Sequence, residues 1–167
     1  MLEIRPAQPA DLPTILALIR DLAVYERLLD QVDADEALLG AALFGREPRV
    51  FCEIAEWRAP GATPVAAGFA LWFYNFSTFR GRHGLYLEDL FVRPEHRGRG
   101  IGRALLVHLA RRCVREGLAR FEWAVLDWNE PALRLYESLG ARGLKEWIPH
   151  RVTGAELEAL AAQPLQR

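Results

Sequence analysis

Apolar positions along this chain switch between two periods, and the switches mark its elements. Residues 2–6 read as a short strand. From Leu12 the apolar residues fall at Ile15, Leu16, Ile19, Leu22 and Ala23, the spacing of one helical face, with Asp11 as N-cap and Pro13 in the first turn. A second short helix is expected over 35–44. Val50 to Trp57 and Val65 to Phe76 are strand-like, separated by the turn-rich Ala59-Pro60-Gly61-Ala62-Thr63-Pro64. A fourth strand follows at about 84–93, then a third helix at about 100–116, ended by Gly117. A fifth strand runs from Phe121 to Leu126. Asn129 then caps a helix with Pro131 in its first turn and Leu133, Tyr136 and Leu139 on one side, and Gly140 stops it. A final strand near 142–150 and a short C-terminal helix complete the chain. The order β-α-α-β-β-β-α-β-α-β predicts an α/β fold, a mixed sheet with helices on both faces, in a single domain over 1–167.

Composition narrows the function classes. Of the 167 residues 51% are hydrophobic, enough for a real core, and 26% are charged. The formal net charge of -1 argues against a general nucleic-acid or membrane-surface binder. No apolar run approaches the length of a bilayer span, and charges from Glu3 and Arg5 onward give no leader pattern. Cys52 and Cys113 sit in apolar strand and helix patterns, as buried free thiols do, and the four histidines are scattered without metal-ligand spacing. The expectation is a cytoplasmic, metal-free protein with no nucleic-acid or membrane partner.

The densest local signal is Arg97-Gly98-Arg99-Gly100-Ile101-Gly102-Arg103, between the fourth strand and the third helix. A strand, a glycine-rich turn and a helix N-terminus present free N–H groups and a favourable dipole to an anion such as a pyrophosphate. The lysine and hydroxyl of a P-loop are absent, and the alternating glycines do not match a dinucleotide fingerprint. By itself the run also describes a helix start with surface arginines.

The spacing Arg97-x-x-Gly100-x-Gly102 resembles the coenzyme A pyrophosphate loop of the GNAT N-acetyltransferases. Leu85 to Val92, Trp128-Asn129-Glu130-Pro131 and Leu135-Tyr136-Glu137-Ser138-Leu139-Gly140-Ala141 resemble further motifs of that superfamily, in the right order. Asp21-Leu22-Ala23-Val24-Tyr25-Glu26, Tyr86-Leu87-Glu88-Asp89 and Ala124-Val125-Leu126-Asp127-Trp128-Asn129 are similar to its diamine acetyltransferase branch, which includes spermidine/spermine and thialysine acetyltransferases. Asp30-Gln31-Val32 looks closer to the thialysine type. The resemblance implies a predominantly antiparallel twisted sheet, splayed at strands four and five, acetyl-CoA as co-substrate, and a homodimer. It implies that Leu90, Phe91 and Val92, the loop residues Arg97, Gly98, Arg99, Gly100, Ile101, Gly102 and Arg103, and Asn129, Pro131 and Ala132 contact the cofactor.

Acetyl transfer needs a neutral amine, a polarised thioester carbonyl and a stabilised leaving thiolate. An alkyl amine of pKa near 10.4 is neutral in only about one part in roughly 2,500 at pH 7, so a base must take its proton. By the resemblance Glu88 is the candidate base; alternation places Glu88 and Asp89 on opposite faces, and the pattern alone favours an acid on a solvated strand edge. Tyr136 is the candidate general acid, because a phenol stays protonated at neutral pH; its spacing between Leu133 and Leu139 also fits a half-buried core aromatic. A bulge near Leu90 to Val92, as the family has, would offer a backbone N–H to the acetyl carbonyl.

Asp21, Glu26, Asp30, Asp33, Asp35 and Glu36 face Arg27 alone in their segment, an acidic rim for a cationic amine or a solvated helix face. By resemblance Tyr25, Glu26, Glu88, Asp89 and Phe79 contact the amine, as do Glu122, Trp123 and Ala124 of strand five, with Glu146 the survivor of a shortened acidic loop. His83-Gly84 lengthens the hairpin between strands three and four, which with the shortened loop disfavours long polyamines. Glu137-Ser138-Leu139 replaces a basic run, so no phosphate contact carries over there. The expected activity is transfer from acetyl-CoA to a primary amine of a small diamine, polyamine or thialysine-like amino acid, by direct attack in a ternary complex. A peptide or aminoglycoside acetyltransferase and a silent acyl-CoA-binding module are the alternatives.

Overall fold

The computed structural model describes residues 1–165. The chain divides into two compact units, Met1–Leu126 and the segment from Asp127 onward. In the first, five strands line up in chain order: β1 (Leu2–Pro6), β2 (Phe51–Trp57), β3 (Val65–Ser77), β4 (Arg82–Val92) and β5 (Phe121–Trp123). Neighbours β1 to β4 are antiparallel, and β4 and β5 are parallel. Helices α1 (Leu12–Glu26), α2 (Glu36–Phe44) and α3 (Ile101–Arg115) belong to the same unit.

Strand alternation sorts the core into two layers. Cys52 and Ile54 of β2, Phe69 and Leu71 of β3 and Phe91 of β4 form one buried cluster with Ile15, Leu18 and Leu22 of α1 and Leu43 of α2. The intervening positions turn to α3, where Arg112 lies over the Trp72 ring and meets the buried Glu53. The apolar face that periodicity identified in α1 is the face buried, since each large side chain removed from water contributes roughly 1.5–3 kcal/mol.

Local chemistry sets the helix ends. Asp35 caps α2, its Oδ1 accepting from the Leu38 N–H at 2.7 Å. Asp11 occupies the N-cap position of α1 but its carboxylate turns away, accepting from the Gln8 N–H and forming a two-pronged pair with Arg5. Arg27 closes α1 in the left-handed region at φ 62°. The second unit holds α4 (Glu130–Ser138) and α5 (Gly154–Ala161). Asn129 caps α4 through its Oδ1 and the Ala132 N–H at 3.4 Å, with Pro131 in the first turn. Gly140, at φ 82°, ends it.

Two expectations are corrected. The fifth strand stops at Trp123 rather than Leu126, and residues 142–150 form no strand. Gly143 and Pro149 frame that stretch; glycine weakens a strand and proline withholds an N–H from the ladder.

Candidate active site

The site begins with an interruption of the β3–β4 ladder. Leu71 pairs with Asp89 and Trp72 with Leu87, so Glu88 is an extra residue on β4. This bulge resets the alternation. Leu85 and Leu87 lie on the α3 side, opposite Tyr74 and Trp72, whereas Asp89 and Phe91 lie on the α1 side, opposite Leu71 and Phe69. Unbroken alternation would keep Leu87 and Asp89 on one face. The expected bulge at Leu90 to Val92 is therefore corrected to Glu88, and simple alternation does not describe how Glu88 and Asp89 are disposed.

The same interruption frees an edge. Pairing of β4 with β5 ends at Leu87 and Trp123, while β4 continues to Val92. Arg93 donates its N–H to Ala67 on the β3 side, so alternation turns the N–H groups of Leu90 and Val92 toward the side β5 has left. The bulge lies two residues upstream of Leu90, the first of these donors.

Asp89 is half-buried beside this edge, and burial, reinforced by the negative charges of Glu88 and Glu26, pushes its pKa up to about 6. Glu26, in the last turn of α1, is itself raised by burial. Glu88 is exposed at the bulge. Three carboxylates from α1 and β4 thus share one field, which favours a bound cation or a retained proton.

The glycine-rich loop supplies the opposite potential. Gly98 and Gly100 hold positive φ, 73° and 76°, a backbone region that glycine alone adopts freely. Gly100 is the N-cap of α3 and brings no side-chain cap, and no acid stands in the first turn. The start of α3 at Ile101 and Gly102 is a helix N-terminus without a side-chain cap, which fits an anionic phosphate. Two loop arginines turn back on aromatic rings: Arg99 lies 5.1 Å from the Trp57 centroid and Arg97 lies 4.8 Å from that of Tyr25.

A model of the acetyltransferase (GNAT) family matches residues 15–141. The chain belongs to this GNAT family. It is 42% identical to a thialysine N-epsilon-acetyltransferase of Bos taurus, over 96% of this chain and 97% of that protein. It is 35% identical to an L-ornithine N5-acetyltransferase of Arabidopsis thaliana, over 94% and 86%. An integron cassette protein from the mobile metagenome of V. cholerae superposes with a TM-score of 0.77 at 26% identity, covering 97% of this chain and 98% of its own. The protein is an N-acetyltransferase, and GNAT acetyltransferases use acetyl-CoA as co-substrate.

The first unit of this GNAT protein brings Tyr25, Glu26, Glu88, Asp89, Leu90, Phe91, Val92 and the loop 97–103 to the ends of α1 and β4 and the start of α3. Phe79 is not among them. It is 97% exposed in the β3–β4 turn, and the strand from Arg82 to Glu88 spans about 20 Å. Glu122 sits on β5, its Oε2 taken by Asn75 and Arg120, both at 2.7 Å. Trp123 is the last residue of β5, and Ala124 lies beyond it, exposed. In the second unit Asn129, Pro131 and Ala132 form the start of α4, Tyr136 lies in its last turn, half-buried, and Glu146 is exposed in the coil that follows. Sequence reasoning treated Asp89 as a substrate contact only. A carboxylate among apolar strand positions, five residues after Gly84 and directly after Glu88, was the available signal, and the bulge that buries it leaves no mark in residue type.

Proposed function

We propose that this protein acetylates a primary amine of a small molecule, with a thialysine-like amino acid or short diamine as acceptor. The observation that carries the reading is the carboxylate trio Glu26, Glu88 and Asp89 beside the open edge of β4. A protonated amine is drawn to three acids in one field and gives up its proton to the Glu88–Asp89 pair. Glu88, exposed at the bulge, exchanges that proton with water. The neutral nitrogen then attacks the thioester carbon, whose oxygen is held by a β4 backbone N–H, Leu90 or Val92. The carbon–sulfur bond breaks, Tyr136 donates its proton to the departing thiolate, and the second proton of the acetylated nitrogen passes through water to restore the phenol. The thiols take no covalent part: burial pushes both Cys52 and Cys113 up, away from thiolate formation.

The names of relatives, thialysine and ornithine acetyltransferases, support a short amine bearing an amino-acid end. The family match crosses Leu126, which supports one acetyltransferase domain over the whole chain. Two buried free cysteines and an acetyl-CoA co-substrate favour a cytoplasmic location. The reading extends to a homodimer, with Trp147 and Ile148 as exposed apolar contributors. Release of CoA thiol from acetyl-CoA across putrescine, spermidine, spermine, lysine, thialysine, ornithine and a lysine peptide tests the function. Turnover concentrated on the short amines supports it, and turnover confined to the peptide overturns it.

A further inference from the structure

Arg97 stands in the loop expected to meet the cofactor's phosphates, yet its side chain is engaged elsewhere. Its Nε donates to the Val92 carbonyl at 2.9 Å, and its guanidinium lies 4.8 Å from the Tyr25 ring centroid and 5.5 Å from that of Phe91. The Val92 carbonyl faces the edge that β5 has left. Tyr25 is in the last turn of α1, one residue before Glu26, whose charge helps to raise Asp89. One planar side chain therefore joins the start of the phosphate loop, the end of β4 and the helix end that carries an acceptor-side carboxylate.

The rest of that helix end is built to be held. Arg27 stops α1 in the left-handed region, with its N–H turned back to Ala23 and Val24. Arg93, at the start of the same loop, pairs with Asp21 one turn earlier at 3.3 Å. The loop thus grips α1 at two points a helical turn apart, Asp21 and Tyr25, and only the second is a ring. A guanidinium stacked on a ring acts through its plane and its hydrogen-bonding fork, which an ammonium does not reproduce.

We propose that Arg97 is a positioning residue for the acceptor amine: it fixes Tyr25 and Glu26 against the end of β4, while the loop backbone serves the cofactor. This rests on the reading that Glu26, Glu88 and Asp89 receive the amine. Absence of turnover by the wild-type protein on every amine overturns that reading, and it is seen before any variant is made.

The test compares Arg97→Met and Arg97→Lys with the wild type, by steady-state kinetics on the best amine and by calorimetric titration of acetyl-CoA without amine. Both variants should raise the amine KM by about 5- to 20-fold, with kcat and acetyl-CoA Kd within about threefold. On a Tyr25→Leu background, Arg97→Met should add less than about a twofold effect, because the contact is already gone. A merely structural role would instead lower thermal stability and leave the KM split absent. Arg97→Met that weakens acetyl-CoA by about tenfold or more, with the amine KM unchanged and Lys restoring affinity, makes Arg97 a phosphate ligand and overturns the inference. So does an unchanged amine KM in both variants.

Discussion

Leu87 and Asp89, two residues apart on β4, point to opposite faces of the sheet, because Glu88 between them has no partner on β3. The bulge does two things. It carries Asp89 to the α1 side near Glu26, and it turns the Leu90 and Val92 N–H groups to the open edge. Both consequences are needed for the acetyl-transfer reading, and the bulge itself presents the Glu88 carboxylate beside them.

Deleting Glu88 should therefore remove activity altogether, whereas Glu88→Gln should leave slow turnover. The deletion makes Leu87 and Asp89 direct neighbours, which regular alternation leaves on the faces they already occupy, so the variant should lose the bulge and the Glu88 carboxylate while keeping the fold. Urea unfolding alongside CoA-release rates checks both parts. A deletion variant with wild-type turnover would remove the bulge from the account.

The pH dependence follows from Asp89. Its pKa is near 6 folded, against an ordinary value of 3.8 for the unfolded chain. Below both values it is protonated in either state and its titration is neutral for folding. As pH rises through this window the folded state must give up the proton against burial and two like charges, so stability is lost by at most about 3 kcal/mol. Asp89→Asn should thus be more stable than wild type at pH 7–8, with the advantage fading toward pH 4. In kcat/KM the wild type should show an acid limb near pH 6, and Glu26→Gln should move that limb to lower pH by removing a like charge. A limb unmoved by both substitutions would place the titrating group elsewhere.

Tyr136→Phe isolates the phenol of α4. Turnover should fall about 10²–10⁴-fold with acetyl-CoA affinity retained, because the proton is donated only as the thiolate forms. Equilibrium binding and single-turnover rates on the same preparation separate the two effects. Unchanged turnover would return Tyr136 to a packing role.

Glu53 tests the α3 side of the sheet. It is 2% exposed, 3.4 Å from Arg112 and 3.6 Å from the His108 Nε2. Arg112 also holds Glu116 at 3.0 Å and covers Trp72. Glu53→Ala removes a buried carboxylate from Arg112, which keeps Glu116, and should cost about 1–3 kcal/mol. The exposed Arg134–Glu130 pair on α4 is the contrast, and Arg134→Ala should cost under about 1 kcal/mol. Chemical denaturation of the two variants decides the ranking.

Much of this was legible in the chain. The apolar face of α1, the Asn129 cap and the strand pairs β2–β3 follow from periodicity and turn chemistry, which act over a few residues. The glycine loop was legible for the same reason, since positive φ at Gly98 and Gly100 is a local demand. The bulge was not. Nothing in Tyr86-Leu87-Glu88-Asp89 distinguishes a regular strand from one that skips a residue, because the register is set by β3 across the ladder. Arg97 was read as a phosphate contact from its place in the loop, and only tertiary structure shows its side chain against Tyr25. Residues 142–150 carried apolar residues enough for a strand but make no ladder, and apolar content without a partner does not make one.

The most direct measurement is a competition. An equimolar mixture of thialysine, ornithine, spermine and a lysine peptide is incubated with the protein and limiting acetyl-CoA, and the products are read by mass. The account predicts that the acetyl group appears first on thialysine or ornithine, and that Asp89→Asn abolishes this preference along with the rate. Acetylation that appears only on the peptide, or that is indifferent to Asp89, would contradict a small-amine acetyltransferase built on the carboxylates of β4.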